Sequence, residues 1–372
     1  MELLNFDLDK RVERAATLPS RLYNEPEVLE LEKRRIFYRT WQLVGRVDQV
    51  MAAGSYFTAE LVGEPIVVVR DRAGLLRAFS NVCRHRAGPV AKGAGCRSAF
   101  QCSYHGWTYA LDGRLIGTPE FDGVEDFEKE KNGLLPLRLE TWEQFIFVNL
   151  DRLSPPLVDF LEDIPALTRH IDVSRMKLVE RRDYVIECNW KVYVDNYLEG
   201  YHIPVVHPSL MRELDYARYR TVTHRYYSLQ DAPIREPEGA GRRYAPSEAQ
   251  REALYFWVFP NLMLNIYPDN LSTNLIVPLD EKRTLTIFEW FFHDPESAEM
   301  KEKIASTVKF SDEIQQEDIA ICEAVQRGLR SFSYDRGRYS VARENGLHHF
   351  HRLWYQFCKN GDEWQDIGSL IT

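Results

Sequence analysis

The 372-residue chain has no apolar run of about 18 residues, so no helical membrane span is expected. Met1 to Arg14 is polar and charged and lacks an apolar h-region, which speaks against a secretory signal. Cysteine is scarce: the six present are too few to staple so long a chain. A reducing, cytoplasmic setting follows, and there a cysteine beside a histidine is more often a metal ligand than half of a bridge. An excess of basic charge is also missing. The net charge of −9 argues against nucleic acid as the partner. No G-x-G-x-x-G follows a strand pattern, so no nicotinamide or flavin site is legible. Internal repeats and low-complexity tracts are absent.

What is present divides into sections. Asn24-Glu25-Pro26-Glu27, followed by Val28, Leu29, Leu31 and Ile36, reads as a capped helix in an N-terminal segment, residues 1–39. Residues 40–152 have a different texture. Short runs rich in Val, Ile, Phe and Tyr (Ser55–Leu61, Pro65–Arg70, Leu76–Val82, Gly106–Tyr109 and Gln144–Leu150) alternate with glycine turns. Asp112-Gly113 marks a hairpin, and the section reads as all-β. Residues 153–372 read as α+β. A strand over Lys177–Cys188 leads into a helix over Asn189–Tyr201 that stops before Pro204. Antiparallel strands over Tyr255–Phe259, Leu262–Tyr267, Ser272–Val277 and Thr284–Phe292 precede a long amphipathic helix over Lys301–Arg330. Between Arg212 and Ala253 the chain is charged and rich in Pro and Gly, as an excursion over a site or a lid would be.

Chemistry concentrates first at Cys83-Arg84-His85 and Cys102-Ser103-Tyr104-His105, two mixed arms with sixteen residues between them. Thiolates on one iron and imidazoles on the other form the donor set of a Rieske-type two-iron cluster. Gly88, Gly93, Gly95 and Gly106 let backbone approach the inorganic sulfur. A structural zinc site uses the same residue types, but its usual arms are C-x2-4-C and H-x3-5-H, each of one type.

Asn81-Val82-Cys83-Arg84-His85-Arg86 and Cys102-Ser103-Tyr104-His105-Gly106-Trp107 resemble the Rieske signature of the ring-hydroxylating oxygenase α-subunit family. The resemblance implies a [2Fe–2S] cluster on Cys83, His85, Cys102 and His105. It also implies a Rieske β domain followed by a helix-grip (START-like) catalytic domain with an antiparallel sheet.

The second concentration is Asn189-Trp190-Lys191 … Asp195-Asn196-Tyr197-Leu198-Glu199-Gly200-Tyr201-His202 … His207-Pro208. Asp195, Glu199 and His202 fall at helical spacing on one face. Two imidazoles and one carboxylate make the facial triad of non-haem Fe(II), which leaves positions open for O2. Asp318 sits among Ile314, Ile321, Cys322 and Val325 on the apolar stripe of the long helix, where a carboxylate needs a partner. A metal is one such partner; backbone N–H donors are another. The pattern is similar to the catalytic-iron motif of the same family, which implies that His202, His207 and Asp318 hold the iron. A glutamate at position 199 resembles the branch acting on quaternary amines. The resemblance implies that Glu199 links His105 of one subunit to His202 of the next, within a homotrimer.

Electrons are then expected from a separate reductase or ferredoxin, and the substrate is a small molecule. Aromatic residues of the second section suit a quaternary ammonium, with Tyr201 and Trp257 as pocket candidates. Arg212, Arg218, Arg220 and Arg225 suit a carboxylate. Hydroxylation or oxidative demethylation of an amine is the leading expectation. Hydroxylation of an aromatic ring or aromatic acid is the alternative. A pure electron carrier or a helix-grip binding protein without iron is a third.

Overall fold

Runs of β-branched and aromatic residues make both halves of the chain sheet-rich, and alternation within each run decides which face it buries. The computed structural model describes residues 4–235 and 250–359. Among these, 37–160 form one compact unit, and 4–36 with 161–359 form another.

The first unit carries ten strands: β1 Gln42–Arg46, β2 Ser55–Leu61, β3 Glu64–Arg70, β4 Leu76–Ser80, β5 Ala94–Cys96, β6 Phe100–Gln101, β7 Thr108–Tyr109, β8 Leu115–Gly117, β9 Pro136–Trp142 and β10 Phe145–Asn149. Seven pair in the order β1-β10-β9-β4-β3-β2-β5, and β6-β7-β8 form a small second sheet. In β3, Ile66, Val67, Val68 and Val69 are all fully buried. The pleat sorts them: Ile66 and Val68 join a core with Val50, Phe57, Ile146 and Val148. Val67 and Val69 face the opposite way, into a core that contains Cys83, Cys102, Trp107 and Tyr109. Each such side chain contributes roughly 1.5–3 kcal/mol, so apolar burial holds the two cysteine arms in place. The Asp112-Gly113 turn is present. Gly113 has φ +91°, and a Cβ there would lie 2.4 Å from the Phe79 ring, so only glycine fits.

The second unit is one seven-stranded antiparallel sheet: β11 Lys177–Ile186, β12 Arg220–Thr223, β13 Tyr227–Pro233, β14 Glu252–Val258, β15 Leu262–Tyr267, β16 Asn270–Pro278 and β17 Thr284–Phe292, in the order β11-β17-β16-β15-β14-β13-β12. A 31-residue helix, Ala298–Gly328, starts where the Ser297 hydroxyl accepts the Met300 N–H. The helix Trp190–Tyr197 packs against it.

A fully buried ion pair ties three helices of this unit together. Glu32, at the end of helix Pro26–Glu32, accepts the Lys191 ammonium at 2.6 Å and the indole N–H groups of Trp190 and Trp354 at 2.7 Å each. The same ammonium lies 5.2–5.8 Å from the ring centroids of Tyr23, Trp190 and Trp354. Trp354 belongs to helix Asn345–Lys359, in which Leu347, Phe350, Leu353, Trp354, Phe357 and Cys358 recur at helical spacing.

Two expectations need correction. The helix from Asn189 ends at Tyr197, not Tyr201, and Pro204 does not stop it. Pro204 instead sits in the first turn of a new short helix, Ile203–Val206, where its missing N–H costs nothing. The stretch 212–253 contributes β12 and β13, two strands of the sheet, so its described part is not a lid. The remainder of that stretch, 236–249, lies outside the described residues.

Candidate active site and metal centres

In the first unit, both arms are tight turns. The Ala87 N–H donates to the Cys83 carbonyl, and the Gly106 N–H donates to the Cys102 carbonyl, each at 3.0 Å. Both thiols are buried, at 3% and 2% exposure, whereas His85 is half-buried and His105 exposed. The two imidazoles face each other, with Nδ1 atoms 3.1 Å apart, and His85 stacks on Trp107. Tyr109 braces the first arm: its hydroxyl lies 3.2 Å from Cys83 Sγ and accepts the Arg84 N–H. Burial, and the neighbouring Cys83, push the Cys102 thiol up, although the Tyr104 N–H pulls the other way. Gly88 leaves open a space in which a Cβ would sit 2.9 Å from Cys102 Sγ. Soft thiol donors on the buried side, imidazole donors on the outer side and this small cradle fit a [2Fe–2S] cluster of the Rieske type.

In the second unit, His202 and His207 flank the helix Ile203–Val206, one at each end. Asp318 comes from the middle of helix Ala298–Gly328. Its Oδ1 lies 3.0 Å from His207 Nε2 and 3.8 Å from His202 Nε2, and all three ligand atoms lie within 4.8 Å of one another. Each ligand is held by a further group. The Glu199 carboxylate takes His202 Nδ1 at 2.7 Å and the His202 backbone N–H at 3.0 Å. Glu317 takes His207 Nδ1 at 2.6 Å, and Asn196 Nδ2 donates to Asp318 Oδ1 at 2.6 Å. Such partners fix which ring nitrogen is free for a metal. Burial lowers His207, but the Asp318 and Glu317 carboxylates outweigh it and hold the imidazole above its usual range. Two Nε2 atoms and one carboxylate oxygen converging, each braced from behind, fit a ferrous ion with open positions.

Comparison with known proteins agrees with both sites. The Rieske [2Fe-2S] domain family matches residues 40–128, and the ring hydroxylating alpha subunit (catalytic domain) family matches residues 173–360. The chain belongs to the Rieske ring-hydroxylating oxygenase α-subunit family.

This oxygenase is 37% identical to the chloroplastic choline monooxygenase of Arabidopsis thaliana, over 95% of this chain and 86% of that protein. It is 32% identical to the carnitine monooxygenase oxygenase subunit of Escherichia coli (strain K12), over 94% and 95%. Among solved structures, a quaternary ammonium Rieske monooxygenase in complex with L-carnitine superposes with a TM-score of 0.80 at 30% identity, covering 93% of this chain and 97% of that one. Naphthalene 1,2-dioxygenase from Rhodococcus superposes with a TM-score of 0.80 at 21% identity, over 93% and 95%, and shares the fold.

Beside the triad the oxygenase has a cavity enclosing about 880 Å³ of space, mouth included. One wall is a registered row across five strands: Gln230, Tyr255, Asn265, Ser272 and Trp290. Asn274 and Phe288 line it one pleat further along, and Tyr267 and Asn270 one pleat back. Helix Ala298–Gly328 closes the cavity with Phe310 and Ile314. No lysine or arginine lines it among the described residues.

Several expectations change here. Tyr201 is 57% exposed and does not line the cavity. Trp257 shares the inward face with Tyr255, two residues away, but the Phe350 ring covers it at 5.3 Å and its indole N–H donates to the Pro260 carbonyl. It is core. The four arginines are all exposed, and Arg220 is spent on Asp231. Asp195 does not share a helix face with Glu199, because the helix ends between them. It accepts the Tyr23 hydroxyl at 2.7 Å and lies 3.0 Å from His351 Nε2, outside the cavity lining. Val325, assigned to the apolar stripe, is 44% exposed.

Sequence reasoning missed Asn196 and Glu317, which brace ligands, and the amides of the sheet wall. For the wall a signal existed. Asn270, Ser272 and Asn274 recur at period two inside one buried strand.

Proposed function

We propose that this oxygenase hydroxylates or oxidatively demethylates a quaternary ammonium or related amine, drawing electrons from a separate reductase or ferredoxin. The observation that carries the substrate class is the cavity wall: aromatic faces, neutral amides and the Glu199 carboxylate, with no lysine or arginine among the described lining residues. Such a wall attracts a soft cation and offers an anion no counter-charge. The relatives named above act on choline and carnitine, as their names state.

When bound, the cluster stores an electron and the ferrous ion supplies the site at which O2 is activated. The chain's own residues do the rest. His202, His207 and Asp318 are the iron ligands. Glu199 and Glu317 orient the imidazoles through Nδ1, and Asn196 steadies Asp318. Cys83, Cys102, His85 and His105 are the cluster ligands. Copies assemble as a homotrimer in which Glu199, already on His202, meets His105 of a neighbouring copy; the exposure of His105 supports this. The six unpaired cysteines support work in a reducing cytoplasm.

The test is reductant-dependent O2 uptake by the loaded enzyme across a panel of quaternary amines and aromatic acids. Uptake coupled to product from an amine is expected. Turnover of aromatic acids alone would overturn the reading. Light scattering that showed a fully active monomer would remove the arrangement between copies.

A further inference from the structure

We infer that Ser272 and Asn274 form a subsite for a neutral substrate oxygen, so that a short quaternary amino alcohol is preferred over a zwitterion with a carboxylate tail. This rests on the amine reading above and narrows it.

Strand β16 turns Ser272 and Asn274 to the same face, two residues apart, and both line the cavity. Each is only 5% exposed. Their acceptor atoms are already used. Asn265 Oδ1 accepts the Tyr197 hydroxyl at 2.9 Å, and Asn265 Nδ2 donates to Ser272 Oγ and to Asn274 Oδ1, at 3.2 Å each. What remains is the Ser272 O–H and the Asn274 amide N–H groups. These are donors with no side-chain partner among the described residues, and they are set in a buried wall. Buried donors are rarely left unmet, so an acceptor from the ligand is the expected partner.

The charge of that acceptor follows from the surroundings. A carboxylate at this place would lose its water and gain neutral donors only. No lysine or arginine lines the cavity among the described residues, and Glu199 would repel it. A hydroxyl needs no counter-charge. Next to the two donors, in register on β17, stand Trp290 opposite Ser272 and Phe288 opposite Asn274, with ring centroids 5.8 Å apart. Aromatic faces are the partners a quaternary ammonium takes. Neighbouring strands lie about 4.8 Å apart, which matches a short carbon spacer between ammonium and hydroxyl.

The experiment compares kcat/KM of the reconstituted holoenzyme for three probes with one cationic head: 2-hydroxyethyl-trimethylammonium, propyl-trimethylammonium and γ-trimethylammonio-butyrate. At least about a tenfold preference for the first is expected, because a site built to hydrogen-bond an oxygen rejects ligands that leave it unmet. Asn274→Ala and Ser272→Ala should each lower kcat/KM for 2-hydroxyethyl-trimethylammonium far more than for propyl-trimethylammonium, erasing most of that preference, with the iron content unchanged. Equal losses on the hydroxylated and plain probes, or preference for the butyrate, would overturn the subsite. Failure to turn over any of the three, with an aromatic acid accepted, would overturn the amine reading itself, and is thereby told apart.

Discussion

The two metal centres of this chain are built on opposite plans. The candidate cluster ligands all lie between Cys83 and His105, on two turns within one β unit. The iron site joins His207 to Asp318 across 111 residues, and every ligand depends on a further residue for its orientation. The first buries thiols in an apolar core. The second stands in a unit that also buries a full ion pair, Lys191 with Glu32, at zero exposure. Short loops on a strand framework can specify a ligand set by spacing alone. A site assembled from distant elements is only as good as the packing that brings them together.

The comparison is tested most severely by removing one ligand from each plan. Asp318→Ala should abolish oxygenation and leave about two irons per chain with the cluster's colour intact, whereas Cys83→Ser should remove the cluster. Iron analysis and visible absorption read both. Loss of the cluster in Asp318→Ala would show that the two sites are not independently built.

A smaller effect concerns packing. Lys191→Met strands the Glu32 carboxylate in the core and should destabilise the catalytic unit by about 3–5 kcal/mol, while the double change Lys191→Met with Glu32→Gln, which keeps an acceptor for the indole N–H groups of Trp190 and Trp354, should recover part of it. Chemical denaturation followed by tryptophan fluorescence reads the loss, and the cluster's visible absorption, which reports the Rieske unit alone, should not follow it. A neutral single variant would mean the pair does not hold the three helices.

The smallest effect belongs to the Rieske unit and is read by pH. Burial raises Asp71, but the Arg77 guanidinium and the N–H groups of Leu75 and Ala73 outweigh it and hold its carboxyl below the ordinary range. A folded-state value below the unfolded one adds stability above the unfolded value, and that stability is lost as pH falls through the folded one. Asp71→Asn should therefore be less stable than the parent at neutral pH, and the gap should close below about pH 4. A gap that does not depend on pH would contradict this assignment.

The legible parts share one property. Strands such as Ser55–Leu61 and the Asp112-Gly113 turn are set by neighbours in the chain, and so were both cysteine arms. Candidate iron ligands were legible as residue types on plausible elements. The local break after Tyr197 was not, because helical spacing continued past it on paper. Glu317 was passed over because it lies beside Asp318 and off the stripe, yet a turn of the long helix brings it to the far side of His207. Helix Asn345–Lys359, with three histidines and several aromatics along it, escaped notice altogether.

Sequence by itself determined the kind of chemistry, since two mixed Cys/His arms and a His, His, Asp set admit few metals. Only the tertiary structure decided what the cavity is made of. Period-two alternation says that Tyr255 and Trp257 share a face, but not that Phe350 will cover one and leave the other beside the triad. Likewise the row from Gln230 to Trp290 exists only once five strands are in register. Register is a long-range property, settled by burying the whole sheet face at once, and no window along the chain contains it.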